Sequence, residues 1–507
     1  MLRRLLTSGD PDACHAAGLD RHRRGCLTGA AVFYQEALRL RPGDALAWTN
    51  LGLIQLARDD VPEAEGSLRE AVRLAPAFAA AHSALGQLHY LRGRVAEAET
   101  CFRLALRLDP AHAGAMINLG IALQAQNALG AAEVCYREAL AKGAPPAAAH
   151  NNLGMLMLEQ GRPGAAEAHC RESRQYRPDL PDSTVNLAMA LLLTGRLSEG
   201  WEIYEARWRL PHGARAEAAW RTRRWHGTEP LAGKTIILWA EQGFGDTLQF
   251  CRYAPLVAAL GARVILAVPP ALIRLMRGLP GVESVIELGG PRPRADFHCP
   301  LMSLPRAFGT TLETVPAAPY LDADPAPWRD RLPPGPRVGL VWAGGERPEK
   351  PQAAAIDQRR SMRLDALAPL LSVPGVTFVS LQLGPPVAEI RQTVAYGNHL
   401  PALIDAGPVL HDFADTAALI QALDLVIAVD TAVAHLAGAL GKPVWLLNRF
   451  DTCWRWLLDR DGSPWYPSMR QFRQTAPGDW ADVIARVTVA LETRTRAGEQ
   501  AWREATH

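Results

Sequence analysis

The sequence lacks any run of 18 or more apolar residues, the length that a helix needs to cross a membrane. Residues 1–6 carry charges, but no adequate apolar stretch follows them, so we expect no signal peptide. No Lys/Arg-rich run stands out and the formal net charge is only +2, which argues against a nucleic-acid-binding protein. The eight cysteines are dispersed without close pairs, as is typical of free thiols in a reducing compartment. These absences predict a cytoplasmic protein with no transmembrane segment and no nucleic-acid partner.

What the sequence does contain is a 34-residue period over its first two fifths. Gly18 begins a series of small residues at this step, and aromatic, alanine and proline positions keep the same step. The series continues with Gly52, Gly86, Gly120, Gly154 and Ala188. This period is the signature of tetratricopeptide repeats, helix pairs that stack into an α-solenoid with a long groove. Since 507 residues are too many for one core, we predict six repeat units at residues 11–212 and further domains after them.

An asparagine recurs in the repeats, two residues before the glycine or alanine marker. It lies on the first helix of each unit, which lines the inner wall of such solenoids. The positions are Asn50, Asn118, Asn152 and Asn186, and Ala84 interrupts the series. An amide offers both a donor and an acceptor, so this series could hold a protein or peptide acceptor by its backbone. The pattern resembles the asparagine ladder of eukaryotic O-GlcNAc transferases; hydrogen bonding to the neighbouring repeat is the alternative.

The repeat pattern decays after Tyr204 into a connector, which we place at residues 213–232 and interpret as packing between domains rather than as an RNA contact. From Lys234 onward, short apolar strands alternate with helices, which implies parallel sheets. A proline-rich stretch at 316–336 divides this alternation. We therefore predict two Rossmann-like α/β domains, at 233–325 and 336–492, that face a cleft and bind ligands at the carboxyl ends of their strands.

Two strand ends carry residues of chemical interest. Gly243-Phe-Gly-Asp246 follows the first strand, and its glycines allow a tight turn; an ordinary helix cap is the competing interpretation of Asp246. Asp430-Thr-Ala-Val-Ala-His435 follows a later strand that ends at Val429. Free backbone amides at a helix start, together with the Thr431 hydroxyl, make an anion site suited to a diphosphate. His435 lies one turn later on the same face, so it could also reach a phosphate oxygen.

The Gly-Asp pair and the late pattern D-T-x-x-x-H-L-A-x-A-L-x-x-P resemble glycosyltransferase family 9, the lipopolysaccharide heptosyltransferases, over residues 234–490. The resemblance implies the GT-B fold and a metal-independent, inverting transfer. A nucleotide sugar is then a substrate, and no cofactor is expected. The resemblance also implies that the first domain binds the acceptor beside Gly243 and Gly245, and that Asp246 is the general base.

In the second domain, the resemblance implies that Asp430, Thr431 and His435 bind the nucleotide-sugar donor. A basic residue after the first strand of that domain helps to neutralise the leaving diphosphate in this family. We assign that catalytic role to Arg360, although the long loop that precedes it departs from the family in length. Three further residues are candidate donor contacts after strands of this domain: Gly344, Gly345 and Gln382.

We predict no metal site. Asp322-Ala-Asp324 and Asp459-Arg-Asp461 mimic the Asp-x-Asp metal motif of another transferase fold, but neither follows a suitable strand. The repeat histidines are expected to be packing or surface residues: His82, His89, His112 and His150. An aromatic group near the C-terminus is expected to pack that segment, with capping of the cleft or sugar binding as the alternative: Trp454, Trp456, Trp465 and Tyr466.

The predicted function is a glycosyltransferase that moves a sugar from a nucleotide donor to an acceptor hydroxyl, on a protein held by the repeats. One alternative is an adaptor whose transferase-like half is degenerate. Another is an enzyme that acts on a lipid-linked saccharide and uses its repeats only for docking. The donor sugar, the nucleotide base and the acceptor have no readable code in the sequence.

Overall fold

The computed structural model describes residues 9–345, 347, 350–390, 403–498 and 502, so residues 1–6, on which the signal-peptide expectation depends, lie outside it. Contacts divide the chain into two compact units. The first comprises Met1–Gln160, His169–Pro178 and Glu346–Ile356, and the second comprises Gly161–Ala168, Asp179–Gly345 and Asp357–His507. The last repeat helices therefore belong to the same unit as the α/β region.

The repeat region consists of consecutive helix pairs. The helices are α1 (Pro11–Arg23), α2 (Leu27–Leu40), α3 (Ala45–Ala57), α4 (Val61–Leu74), α5 (Ala79–Leu91), α6 (Val95–Leu108), α7 (Ala113–Ala125), α8 (Leu129–Ala141), α9 (Pro146–Glu159), α10 (Pro163–Tyr176), α11 (Pro181–Leu193) and α12 (Leu197–Tyr204). The predicted α-solenoid is confirmed.

The 34-residue period reflects a close helix–helix approach that recurs in successive units. In four units the marker glycine lies against the residue 16 positions later. A Cβ added to the glycine would come within 2.5–2.8 Å of a ring or side-chain carbon of that residue. The pairs are Gly18–Tyr34, Gly52–Leu68, Gly86–Phe102 and Gly120–Tyr136. Such distances exclude any larger residue without a shift, because closely packed interiors have no spare volume. The glycine therefore sets how near the two helices of a pair can lie.

The connector between the repeats and the α/β region is ordered. A 3-10 turn, Glu205–Arg209, leads to helix α13 (Pro211–Ala218) and to β1 (Arg223–Arg224), which pairs in parallel with Phe297 and His298 of the first sheet. Trp220 stacks on His298 at 4.9 Å between ring centroids and lies 5.2 Å from Trp239. Trp220 of the connector thus packs on the first sheet.

The first α/β domain is built on a parallel sheet with strand order β1-β5-β2-β3-β4. Its remaining elements are β2 (Thr235–Trp239), α14 (Phe244–Phe250), α15 (Ala254–Ala259), β3 (Arg263–Val268), α16 (Pro270–Met276), β4 (Val282–Glu287), β5 (Phe297–Pro300) and α17 (Leu304–Ala307). Strand β2 is buried along its whole length, as its unbroken apolar sequence requires in a sheet covered on both faces.

The second α/β domain has a parallel sheet with strand order β11-β10-β9-β6-β7-β8. Its elements are α18 (Ala326–Arg329), β6 (Arg337–Val341), α19 (Pro351–Arg360), α20 (Ala368–Leu371), β7 (Thr377–Ser380), β8 (Ile404–Asp405), α21 (Phe413–Gln421), β9 (Leu425–Val429), α22 (Ala432–Ala439), β10 (Val444–Asn448), β11 (Met469–Arg473) and α23 (Trp480–Arg496). Two parallel sheets in sequence agree with the predicted α/β GT-B fold.

The stretch that precedes Arg360 differs from the prediction. We expected one long loop between Gly345 and Arg360, and the structure has helix α19 over most of it. The run Ala353-Ala-Ala-Ile-Asp-Gln358 contains strong helix formers, and Pro351 stands at the first helical position, where it is tolerated. Arg360 is therefore the last residue of a helix.

Candidate active site

The Gly-Asp loop, residues 241–246, joins β2 to α14. Asp246 is the third residue of that helix, and its Oδ2 accepts a hydrogen bond from the Gly243 backbone N–H at 3.0 Å. The interpretation of Asp246 as a helix cap therefore accounts for one of its two carboxylate oxygens. The other oxygen faces a different partner.

Asp246 Oδ1 accepts a hydrogen bond from Arg455 Nη2. Arg455 belongs to the second domain, in the 3-10 turn Trp454–Trp456, and its side chain is 11% exposed. Burial is the largest influence and lowers the pKa of Arg455, but the Asp246 carboxylate together with Cys453 and Tyr204 raises that pKa above its ordinary value. Arg455 is thus a permanent positive charge that links the two domains at the predicted base. Sequence reasoning missed it, because it stands between two tryptophans outside any motif.

The other end of the Gly-Asp loop is also anchored by an arginine. Both oxygens of Glu241 accept hydrogen bonds from Arg207, at 2.9 and 2.8 Å. Both side chains are 6% exposed, and Arg207 lies in the 3-10 turn that directly follows α12. A bidentate pair of this kind fixes orientation as well as charge. The loop that carries Asp246 is therefore tied to the end of the last repeat helix.

The predicted diphosphate site lies where β9 gives way to α22. Thr431 is the N-cap residue of α22, and its hydroxyl makes no capping hydrogen bond. Within the described part of the chain, Thr431 Oγ1 is buried without any hydrogen-bond partner. Unsatisfied backbone N–H groups at a helix start attract anions, and a free hydroxyl beside them adds a donor.

Arg360 reaches this same helix start from α19. Its Nη1 donates to the Asp430 backbone carbonyl at 3.1 Å, and its Nη2 lies 2.6 Å from Asp357 Oδ1. Arg360 Nε is buried and has no partner among the described residues. The structure thus brings Arg360 to the Asp430–Thr431 turn, although Arg360 and Asp430 are 70 residues apart in sequence.

The three residues predicted as further donor contacts have different surroundings. A Cβ at Gly344 would overlap the Arg360 guanidinium, so this glycine makes room for Arg360. Gly345 has no atom within 4 Å of the position that a Cβ would take. Gln382 is buried, and its amide is used by backbone: Oε1 accepts from Trp342 and Ala343, while Nε2 donates to Ala343 and Leu383. Gln382 therefore braces the ends of β6 and β7.

His435 is buried at the contact between the two predicted motifs. Its ring stacks on Trp456 at 4.9 Å between centroids, and its Nδ1 lies 3.0 Å from the Tyr466 hydroxyl. Burial is the main cause that lowers the pKa of His435 to about 3, so the ring is neutral at neutral pH. His435 Nε2 has no hydrogen-bond partner among the described residues.

Gly245 brings the two motifs into direct contact. A Cβ at this position would lie 2.8 Å from His435 Cδ2 and 3.7 Å from the Ala432 Cα. Because only glycine fits there, the helix that carries Asp246 lies directly against the helix that carries Thr431. The sequence predicted both motifs and a shared cleft, but it did not predict this contact.

The C-terminal aromatic group packs as the main interpretation expected. Trp454, Trp456, Trp465 and Tyr466 are each at most 4% exposed. Trp454 meets Trp201 of α12 edge to face at 5.2 Å, and Trp465 meets Phe250 at 5.8 Å. Trp456 and Tyr466 nevertheless hold the His435 ring, so this packing also shapes the site.

Among the predicted asparagines, two differ from the others in their bonding. Asn118 and Asn152 are partly exposed, and no partner of their amides occurs within the described residues. Asn50 Nδ2 lies 3.0 Å from His15 Nε2, and Asn186 has a partner of its own. Asn118 and Asn152 are thus the members of the series whose amides are open to a ligand.

Comparisons with known families divide the chain in the same way. Residues 79–112, 23–77 and 117–181 match tetratricopeptide repeats. Residues 383–447, which include the Asp430–His435 motif, match glycosyltransferase family 9 (heptosyltransferase). The chain is therefore similar to tetratricopeptide repeats in its first part and to glycosyltransferase family 9 over residues 383–447, which bears out the predicted resemblance and supports a glycosyltransferase.

One curated relative is Protein FlbA of Caulobacter vibrioides, which is 32% identical over 349 residues, 61% of this chain and 56% of FlbA. The chain thus spans about half the length of the curated relative it matches. Among solved structures, the chain is similar to a thermophilic tetratricopeptide-repeat protein of Thermus thermophilus (23% identity, TM-score 0.34, 36% of this chain and 100% of that one). It is also similar to pilF of Pseudomonas aeruginosa (18% identity, TM-score 0.34, 41% and 97%). Within the described residues, no helix is both long and apolar enough to cross a membrane.

Proposed function

We propose that the protein is an inverting, metal-independent glycosyltransferase that moves a sugar from a nucleotide-sugar donor to a hydroxyl on a protein held by the repeats. The observation that carries the proposal is the direct contact of Gly245 with His435, which sets the Asp246 helix against the Thr431 helix. A base and a diphosphate site must lie close together for one displacement to use both.

The donor diphosphate would bind at the start of α22. Three features support this: the Thr431 hydroxyl and Arg360 Nε, both buried without partners in the described structure, and the start of α22, where the N-cap side chain makes no capping hydrogen bond. Positive charge and oriented N–H groups stabilise the charge that develops on a leaving diphosphate. Arg360 would supply the charge, and the helix would supply the oriented dipoles.

His435 would act as an uncharged hydrogen-bond donor to the diphosphate. Its low pKa keeps the ring neutral, so one nitrogen carries a proton and the other accepts. If the Tyr466 hydroxyl donates to Nδ1, the proton of His435 resides on Nε2, the nitrogen without a partner among the described residues. Tyr466 would then select the tautomer that can donate to a phosphate oxygen.

Asp246 would accept the proton of the acceptor hydroxyl. Arg455 and the Gly243 N–H hold its carboxylate in one orientation, so that an acceptor hydroxyl would meet a fixed oxygen. A positioned general base of this kind contributes about 10²–10⁴-fold to rate. The attack on the anomeric carbon and the departure of the nucleoside diphosphate would be a single displacement, which inverts that centre.

The polypeptide acceptor would lie along the first helices of the repeats, with Asn118 and Asn152 as its contacts. Both amides are available, and each can bond a backbone N–H and a backbone carbonyl without reading side chains. The double variant Asn118→Ala/Asn152→Ala should raise the acceptor KM and leave donor binding unchanged. Asn50→Ala is the matched control, because the amide of Asn50 is already bonded to His15.

The decisive experiment is a thermal-shift screen with UDP-, GDP-, ADP-, CMP- and dTDP-sugars, followed by transfer assays with the donor that binds. Thr431→Val keeps the shape of the side chain but removes the hydroxyl, so it should abolish the shift. Asp246→Asn should retain the shift and lose transfer. Full turnover by Asp246→Asn would refute the assignment of the base, and binding that survives in Thr431→Val would refute the diphosphate site.

A second candidate is a non-catalytic adaptor, and one observation favours it. Several polar groups of the cleft are engaged with each other rather than with solvent: Asp246 with Arg455, His435 with Tyr466, and Gln382 with backbone. Such closure suits a degenerate site whose fold survives while its repeats do the binding. If no nucleotide sugar shifts the melting temperature of the wild-type chain, the adaptor becomes the better account.

A further inference from the structure

The fifth repeat unit differs from the second and third units at one helix position. In the second and third units, a ring N–H at this position bonds the proline carbonyl that ends the preceding unit: Trp48 Nε1 to Pro42 at 2.9 Å, and His82 Nε2 to Pro76 at 2.8 Å. The equivalent residue of the fifth unit is His150, and Ala144 takes the place of the proline. The His150 ring is turned instead toward the second helix of its own unit.

Two ligand-type side chains meet His150 there. His150 Nδ1 lies 3.0 Å from His169 Nδ1, and His150 Nε2 lies 3.5 Å from Glu172 Oε1. One ligand atom from each of the three residues lies within 4.8 Å of the others. His169 and Glu172 stand three residues apart on α10, so they project from the same face of that helix.

The spacing of the two imidazoles fits a shared metal ion. Two nitrogens bound to one tetrahedral zinc at about 2.0–2.1 Å are separated by about 3.3 Å, close to the separation of the two Nδ1 atoms. If the same contact were a hydrogen bond, one Nδ1 would have to donate and the other Nδ1 would have to accept. Tyr176 stacks on His150 with a 9° angle between the rings and limits the rotation of that ring.

We propose that His150, His169 and Glu172 bind a divalent transition metal of the zinc type, which links α9 to α10. Imidazole with a carboxylate suits zinc and its neighbours, whereas magnesium and calcium prefer all-oxygen sites. Three protein ligands leave a fourth position for water. The partly exposed Glu172 gives the ion access from solvent, since its side chain is 45% exposed.

This site is separate from the proposed transfer chemistry, because its three ligands all lie in the repeats. It would give His150 a role beyond the packing or surface position that the sequence predicts. The third and fourth units lack the set: the residues equivalent to His150, His169 and Glu172 are Met116, Cys135 and Glu138 in the fourth unit, and His82, Cys101 and Leu104 in the third.

The test uses the untagged full chain, stripped with a chelator and titrated with Co²⁺ and Zn²⁺. We expect a single equivalent of Co²⁺ to give the visible absorption of a tetrahedral site and Zn²⁺ to displace it. Zn²⁺ should also raise the melting temperature, because it binds the folded state, whereas Mg²⁺ should not. His169→Gln and Glu172→Gln should each weaken binding roughly tenfold or more.

His82→Gln is the matched control, since it alters a histidine at the same repeat position that is bonded to a carbonyl instead. Its metal affinity should equal that of the wild type. Glu172→Gln changes a half-exposed side chain and so tests the site even if His169→Gln folds poorly. Unchanged affinity in both ligand variants, or no uptake of Co²⁺ and Zn²⁺ by the wild-type chain, would overturn the proposal.

Discussion

The repeat region and the α/β region both depend on glycines that allow close approach, but they use them differently. In the repeats, one contact occurs in four successive units, always between residues 16 apart, as in Gly86 with Phe102. In the α/β region, each such contact occurs once: Gly245 lies against His435, which is 190 residues later, and Gly344 against Arg360. The repeats therefore use the same glycine contact in several units, whereas each close contact of the cleft depends on a single glycine.

This difference has an energetic consequence. A solenoid is stabilised by the sum of similar neighbouring contacts, so the loss of one contact removes a fraction of the total. The cleft joins two domains through a few buried groups, among them the Asp246–Arg455 pair. We expect substitutions there to disturb both folding and ligand binding.

The largest expected effect is the loss of Arg455. Breaking a buried ion pair costs about 3–5 kcal/mol, and because a fifth of the Asp246 side chain is exposed, we expect about 2–3 kcal/mol for Arg455→Met. Arg274→Met is the control, because Arg274 also pairs across the two domains, with Asp412 and Asp415, but is 54% exposed. That change should cost less than about 1 kcal/mol.

Urea unfolding followed by tryptophan fluorescence would compare the two arginine variants. Asp246→Asn added to Arg455→Met should recover part of the loss, because it removes the uncompensated carboxylate. Equal costs for Arg455→Met and Arg274→Met would mean that the buried pair contributes no more than a surface one.

The next effect concerns the contact of the two motifs. Gly245→Ala places a Cβ against a histidine ring that is already stacked on Trp456, so the ring or the backbone must move. We expect a loss of about 1–3 kcal/mol in stability, as for an overpacked core, and the loss of any donor-dependent thermal shift. Gly130→Ala, on the exposed face of α8 where a Cβ meets nothing within 4 Å, should preserve both. A fully functional Gly245→Ala variant would show that the two helices need not touch.

The same contrast explains what the sequence could predict. The repeats could be predicted because the contact of the marker glycine with a large aromatic or leucine side chain recurs at a fixed step and therefore produces a periodic pattern. The buried strands of both sheets were readable from their apolar runs. Strands β1, β5, β8 and β11 lack such a run, because they are short or polar: β1 is Arg223-Arg224, and β11 reads Met-Arg-Gln-Phe-Arg.

Only those residues of the site that belong to the two motifs could be predicted from the sequence. Asp246, Thr431 and His435 stand at strand ends with recognisable patterns, but Arg455 is found only by folding the chain, because its partner is 209 residues away. The proposed metal ligands His150 and His169 are each unremarkable in sequence, and their meeting depends on how α9 lies on α10. A contact that occurs only once, between residues that are distant in the sequence, produces no periodic pattern from which it could be predicted.

A smaller effect is the acid sensitivity of His435. Its pKa is about 3 in the folded chain against an ordinary 6.5, so between these values the unfolded state binds more protons. Stability should therefore fall as the pH drops below about 6.5, by at most about 1.4 kcal/mol per pH unit from this residue. His435→Gln should remove the part of this pH dependence of stability that comes from His435. The part that comes from His298 should remain, because burial lowers the pKa of His298 to about 4.

Melting temperatures measured from pH 7 to pH 4 would test this. His226→Gln is the control, because the side chain is exposed and should leave the slope unchanged. An identical pH dependence in the wild type and His435→Gln would mean that the ring is not held neutral by burial.

The smallest effect should be in the repeats. Gly86→Ala gains about 1 kcal/mol in helix propensity but sets a Cβ 2.6 Å from the Phe102 ring, so overpacking should leave a net loss of about 1 kcal/mol. Gly66→Ala, on the exposed face of α4 with nothing within 4 Å, should stabilise by up to about 1 kcal/mol. The midpoint of urea unfolding, followed by the helical signal, would distinguish the two variants. If Gly86→Ala stabilised as much as Gly66→Ala, the Phe102 side chain would have moved to make room for the added Cβ. The marker glycine would then not set the spacing of the helix pair.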